Sequence, residues 1–118
     1  MKNHPMILEE DILVMILTVI PEDKLCYKLD KQLEEILRKE NNALIKEKFP
    51  FHPQYLDSRI LRESLMNLKL GRGIIGCSDQ TFRINPILYD KAKLMEKNFS
   101  KQEIKYLKSL GKKLEYRK

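Results

Sequence analysis

The sequence predicts a mainly α-helical fold with one small β-hairpin. Apolar residues recur at helical spacing in several segments. Glycine and proline are scarce, 4 and 5 in 118 residues, too few for a many-turned β fold. One stretch alone, Ile74 to Asn85, sets two short apolar runs around turn residues.

Met1 to Met6 reads as a loose arm. A first helix is expected from about Ile7 to Ile20. Glu9, Glu10 and Asp11 crowd its first turn, where negative charge meets the positive end of the helix dipole. Its apolar residues point in nearly every direction, so this segment should be the central buried element. A buried strand is the competing reading, because Ile and Val are frequent there. Pro21 stops it. A second helix starts between Pro21 and Asp30, with Leu29, Leu33, Ile36 and Leu37 on one face. It either runs on through Ala43, Leu44 and Ile45 or breaks at Asn41-Asn42. Phe49-Pro50-Phe51-His52-Pro53 is a stiff connector whose aromatics should tuck into the core.

A third helix is expected from about Gln54 to Leu70. Ile60, Leu61, Leu65 and Leu68 form its apolar stripe. Tyr55, Arg59, Arg62, Met66 and Lys69 lie opposite, with Asp57 and Glu63 at the flanks. Gly71-Arg72-Gly73 marks the stop. Ile74 to Cys77 and Thr81 to Asn85 read as two strands joined by Ser78-Asp79-Gln80. Asn85-Pro86 opens a fourth helix, running to about Lys97. Ser100-Lys101-Gln102-Glu103 matches a capping box and opens a fifth. There Ile104, Leu107, Leu110 and Leu114 form an apolar stripe, and Lys101, Lys105, Lys108 and Lys112 a basic one.

A single domain, 1–118, is expected: a helical core and hairpin unit over 7–86, then a helical extension over 87–118. The longest apolar run, Ile12 to Ile20, is too short to span a bilayer. It follows Glu9, Glu10 and Asp11, whereas a secretory signal would begin with positive charge, so no such signal is expected. Cys26 and Cys77 are expected as buried free thiols, which suits a reducing, cytoplasmic compartment. The net charge of +6 is unevenly spread. Residues 1–53 carry 8 Lys and Arg against 10 Asp and Glu, a balance of −2. Residues 54–118 carry 15 against 7, a balance of +8. A basic half suits a polyanionic partner, and equally suits solvated lysine-rich helices.

Asp57-Ser58-Arg59-Ile60-Leu61-Arg62-Glu63-Ser64-Leu65, continued through Gly71, Gly73-Ile74-Ile75 and Thr81-Phe82-Arg83-Ile84, resembles the recognition helix and wing of the winged-helix superfamily. The resemblance covers residues 57–86. It implies a winged-helix-like domain with additional C-terminal helices, and a non-enzymatic, transcription-regulating protein that binds double-stranded DNA. By that resemblance Tyr55, Ser58, Arg59, Arg62 and Lys69 face the groove, and Arg72 and Arg83 line the wing. A recognition helix fits the major groove, and phosphate contacts supply most of the affinity. Winged helices also dock proteins, so an interaction module that self-associates through its helices is the alternative. The apolar stripe of residues 104–114 either forms a homodimer seam or packs on the chain's own core.

No cofactor or metal site is expected. His4 and His52 are the only histidines, and a metal would need both cysteines to converge with them. No glycine-rich phosphate loop and no singled-out nucleophile triad is present.

Overall fold

A computed structural model describes residues 7–77 and 80–117. The expected arm at Met1 to Met6, with His4, lies outside the described residues, as do Ser78 and Asp79 of the expected turn.

Helix α1, Glu9–Leu17, is the hub. Ile12 through Leu17 are all buried, so the apolar belt around this helix meets protein on every side. Helices α4 (Arg59–Leu70), α5 (Ile87–Met95) and α6 (Lys101–Gly111) all pack against it. It is shorter than the expected span to Ile20. The chain leaves it through tighter turns, Val19 N–H to Ile16 C=O and Ile20 N–H to Leu17 C=O, before Pro21.

Strand β1, Leu25–Tyr27, follows and was not anticipated. Lys28, left-handed at φ 52°, turns the chain straight into α2, Leu29–Arg38. Leu29, Leu33 and Leu37 bury one face of α2 at i, i+4 and i+8. The chain breaks at Asn41-Asn42. Asn42 caps the short α3, Ala43–Lys48, its side chain accepting the Leu44 N–H at 2.9 Å. Phe49 is buried and Phe51 partly so, as the connector reading requires.

Helix α4 starts at Arg59, five residues later than Gln54. A compact loop occupies the difference. His52 Nδ1 accepts the N–H groups of Gln54 and Tyr55 at 3.1 and 3.2 Å, and the His52 carbonyl accepts Leu56 N–H at 2.8 Å. Leu56 is left-handed at φ 57°. Leu61, Ser64, Leu65 and Leu68 form the buried face of α4. Its C-terminus is a Schellman motif: Gly73 N–H reaches the Leu68 carbonyl at 2.8 Å and Arg72 N–H reaches that of Lys69 at 3.1 Å. The left-handed residue of the motif is Arg72, at φ 62°, and not a glycine.

Strands β2 (Ile74–Gly76) and β3 (Thr81–Ile84) form the expected hairpin. β3 also pairs antiparallel with β1, placing Cys26 opposite Phe82. A last strand, β4 (Tyr116–Arg117), joins the other edge of β1, so the sheet order is β2-β3-β1-β4. Asn85 knots the base of the hairpin. Its N–H donates to the Gly73 carbonyl, its side-chain amide to the Arg72 carbonyl, and its Oδ1 accepts the Ile87 N–H that opens α5. Helix α5 ends at Met95, and a 3-10 turn, Glu96–Asn98, continues it. Both halves of the capping box at Ser100 and Glu103 are formed. Leu107, Leu110 and Leu114 are buried, and α6 packs on α1, so the apolar stripe covers the chain's own core.

The fold is therefore mainly α with a small sheet built on one hairpin. Among the described residues no helix is long and apolar enough to cross a membrane.

Candidate nucleic-acid interface

The residues read as groove-facing divide into two groups. Arg59 and Arg62 stay open on the outer face of α4, their side chains 84% and 62% exposed. Each meets a carboxylate: Arg59 Nε lies 2.9 Å from Glu63 Oε1, one turn on, and an Arg62 guanidinium nitrogen lies 3.2 Å from Asp57 Oδ2. Solvent-exposed pairs of this kind are worth about 0–1 kcal/mol. A phosphate can replace such carboxylates. Met66 and Leu70 continue the same face and are also exposed.

Arg72 and Arg83 are exposed on the hairpin side, Arg72 at the turn out of α4 and Arg83 on β3 opposite Ile75. Among the described residues neither forms an ion pair. Tyr55 is exposed too, but it sits in the loop before α4, not on the helix. Its ring rests against His52, centroids 4.6 Å apart.

Ser58 and Lys69 belong to the scaffold instead. Ser58 is buried and is the N-cap of α4, its hydroxyl oxygen accepting the Leu61 N–H at 3.3 Å. A capping serine must turn its oxygen back onto the helix end, which removes it from an outer groove. Lys69 Nζ reaches Asp30 Oδ2 on α2 at 2.7 Å and lies 4.8 Å from the Phe82 ring centroid. It ties α4 to α2 and β3. The sequence identifies Glu63 as the partner of Arg59 by its i+4 spacing. It carries no local signal that Asp30 and Phe82 would enclose Lys69.

The groups whose proton affinity moves lie away from this face. Burial pushes the Cys26 thiol up to about 11, although a hydrogen bond from Gln32 opposes it. Burial, with help from Glu22 and Asp23, pushes Tyr89 up to about 12. Its hydroxyl donates to the Ile20 carbonyl. Tyr106 is raised by burial and by Glu40, to which its hydroxyl donates at 2.5 Å. These are packing positions: Cys26 sits in β1, one of the two inner strands of the sheet, and the tyrosines tether α5 and α6 to neighbouring loops. Both cysteines are free. Cys26 is buried as expected, whereas Cys77 is exposed at the end of β2. Among the described residues no group of three or more His, Cys, Asp or Glu is placed to hold a metal ion.

Compared with protein-family models, curated proteins and solved structures, the chain matches none.

Proposed function

We propose that this protein binds double-stranded DNA through the outer face of α4 and the adjoining β2–β3 hairpin, as a non-enzymatic, winged-helix-like regulator of transcription in the cytoplasm. The observation that carries the reading is the union of helix and flap. The Schellman turn at Arg72 passes α4 directly into β2; Arg59 and Arg62 are exposed on the first turn of α4, and Arg72 and Arg83 at its far end and on the hairpin. The pairing of β3 with β1 supports it further, because it anchors the hairpin to the rest of the sheet. A helix of this size enters the major groove, with the hairpin touching the neighbouring backbone.

The test is affinity for a random-sequence duplex at about 50 and about 200 mM salt. About four phosphate contacts from this face alone would make affinity fall roughly a hundredfold between the two, and contacts elsewhere on the chain would steepen the fall. Absence of binding at the lower concentration removes the reading.

Met66 and Leu70, exposed at 54% and 75%, favour a second reading in which the same face docks a protein. Self-association there would appear as concentration-dependent sedimentation, and a persistent monomer would eliminate it.

A further inference from the structure

We propose that the lysine row of α6 is a second, sequence-independent docking surface for the phosphate backbone of duplex DNA. Lys101, Lys105, Lys108 and Lys112 are all exposed and recur every three or four residues, on one side of the helix. At about 1.5 Å per residue the row is roughly 16 Å long. One strand of B-DNA presents about five phosphates over that distance.

The row differs from α4 in its charge balance. On α4 each cation has a carboxylate at 2.7–3.2 Å. Among the described residues Lys101, Lys105 and Lys112 form no ion pair, and Lys108 reaches Glu96 only at 3.6 Å. Glu103, the one acid on α6, holds the Ser100 N–H at 2.7 Å in the capping box. The Lys108–Glu96 contact also brings alongside the 3-10 turn that carries Lys97, exposed and without an ion pair among the described residues.

Lys101 occupies the first helical position, where a cation opposes the positive end of the helix dipole. Folding gains nothing from that placement, while an external anion would. A lipid surface fits less well. The apolar face of α6 is already packed on α1, so the helix has no such face to insert into a bilayer.

The identity of the polyanion rests on the reading above, but the position of the surface does not. The experiment measures anisotropy of a labelled random-sequence duplex against salt for the full chain, for K101Q/K105Q/K108Q/K112Q, and for R59Q/R62Q. A parental thermal melt shows that the glutamine variant is folded, and K101R/K105R/K108R/K112R, which keeps the charge, should bind as the parent does. Removing four phosphate contacts should flatten the log–log salt slope by about 3 to 4 and weaken binding at least tenfold at low salt. If the glutamine row keeps the parental slope while R59Q/R62Q weakens, the α6 surface is overturned and the α4 reading survives. If the glutamine row abolishes binding and R59Q/R62Q behaves as the parent, α6 stands and the α4 reading falls. A parent that binds vesicles of phosphatidylserine but no duplex overturns both.

Discussion

Lys69 on α4 and Asp30 on α2 are joined at 2.7 Å, with the Phe82 ring 4.8 Å from the same ammonium. This lysine works inside the domain, holding helix against helix and helix against hairpin. Lys69→Met should therefore destabilise the fold while changing duplex affinity less than twofold. Asp30 is about half exposed, so a double-mutant cycle with Asp30→Asn should return a coupling below about 1 kcal/mol in chemical denaturation. A large loss of DNA affinity in Lys69→Met without loss of stability would return Lys69 to the groove.

Arg72 has two opposed roles. It holds a left-handed backbone at φ 62°, which costs a side-chain-bearing residue roughly 1 kcal/mol relative to glycine. It also places a cation beside the hairpin. Arg72→Gly should raise stability by about 0.5–1 kcal/mol and lower duplex affinity. Thermal melts and anisotropy on the same sample separate the two effects, and a fall in both would show that the side chain is needed for the turn itself.

Gly111 marks the closest approach of α6 to α1. A β-carbon there would stand 2.3 Å from the Ile16 carbonyl oxygen and 2.6 Å from Val19 Cγ2. Backbone cannot yield as a flexible side-chain end can, so the two helices must move apart. Gly111→Ala should cost about 3 kcal/mol or more in denaturant unfolding. A loss under about 1 kcal/mol would mean that α6 is not seated on α1 as described.

Tyr89 and Cys26 bind their protons more tightly in the folded chain than their ordinary values of 10.0 and 9.0, at about 12 and about 11, and Tyr106 is raised as well. For groups raised on folding, the stabilisation is complete below the unfolded value and disappears as pH climbs through the folded one. The domain should thus hold its stability up to about pH 9 and lose it progressively towards pH 12. Tyr89→Phe and Tyr106→Phe should each blunt that alkaline loss. A melting temperature that stays level from pH 9 to 12 would contradict the assignment.

What could be read in advance was local. The buried belt of Ile12 to Leu17, the capping box at Ser100 and the turn chemistry between Ile74 and Asn85 each announce themselves within a few residues. Strands β1 and β4 did not, since three and two residues are too few for a period. Their pairing, Cys26 with Phe82 and with Tyr116, depends on residues far along the chain. The start of α4 was misplaced because one imidazole, His52, takes up the N–H groups of Gln54 and Tyr55. For the candidate site, the spacing of Arg59 and Arg62 was enough to put them outside. The inward turn of Ser58 and Lys69 was hidden, because a cap and a cross-helix pair are decided by geometry in three dimensions.

The central claim concerns which surface meets DNA, and an NMR titration of amide shifts with a random-sequence duplex at low salt tests it most directly. The account predicts perturbations gathered on the outer face of α4, at Arg59, Arg62 and Met66, and on Arg72 and Arg83, with a second group along Lys101 to Lys112. Shifts that leave α4 and the hairpin untouched, or no shifts at all, would contradict it.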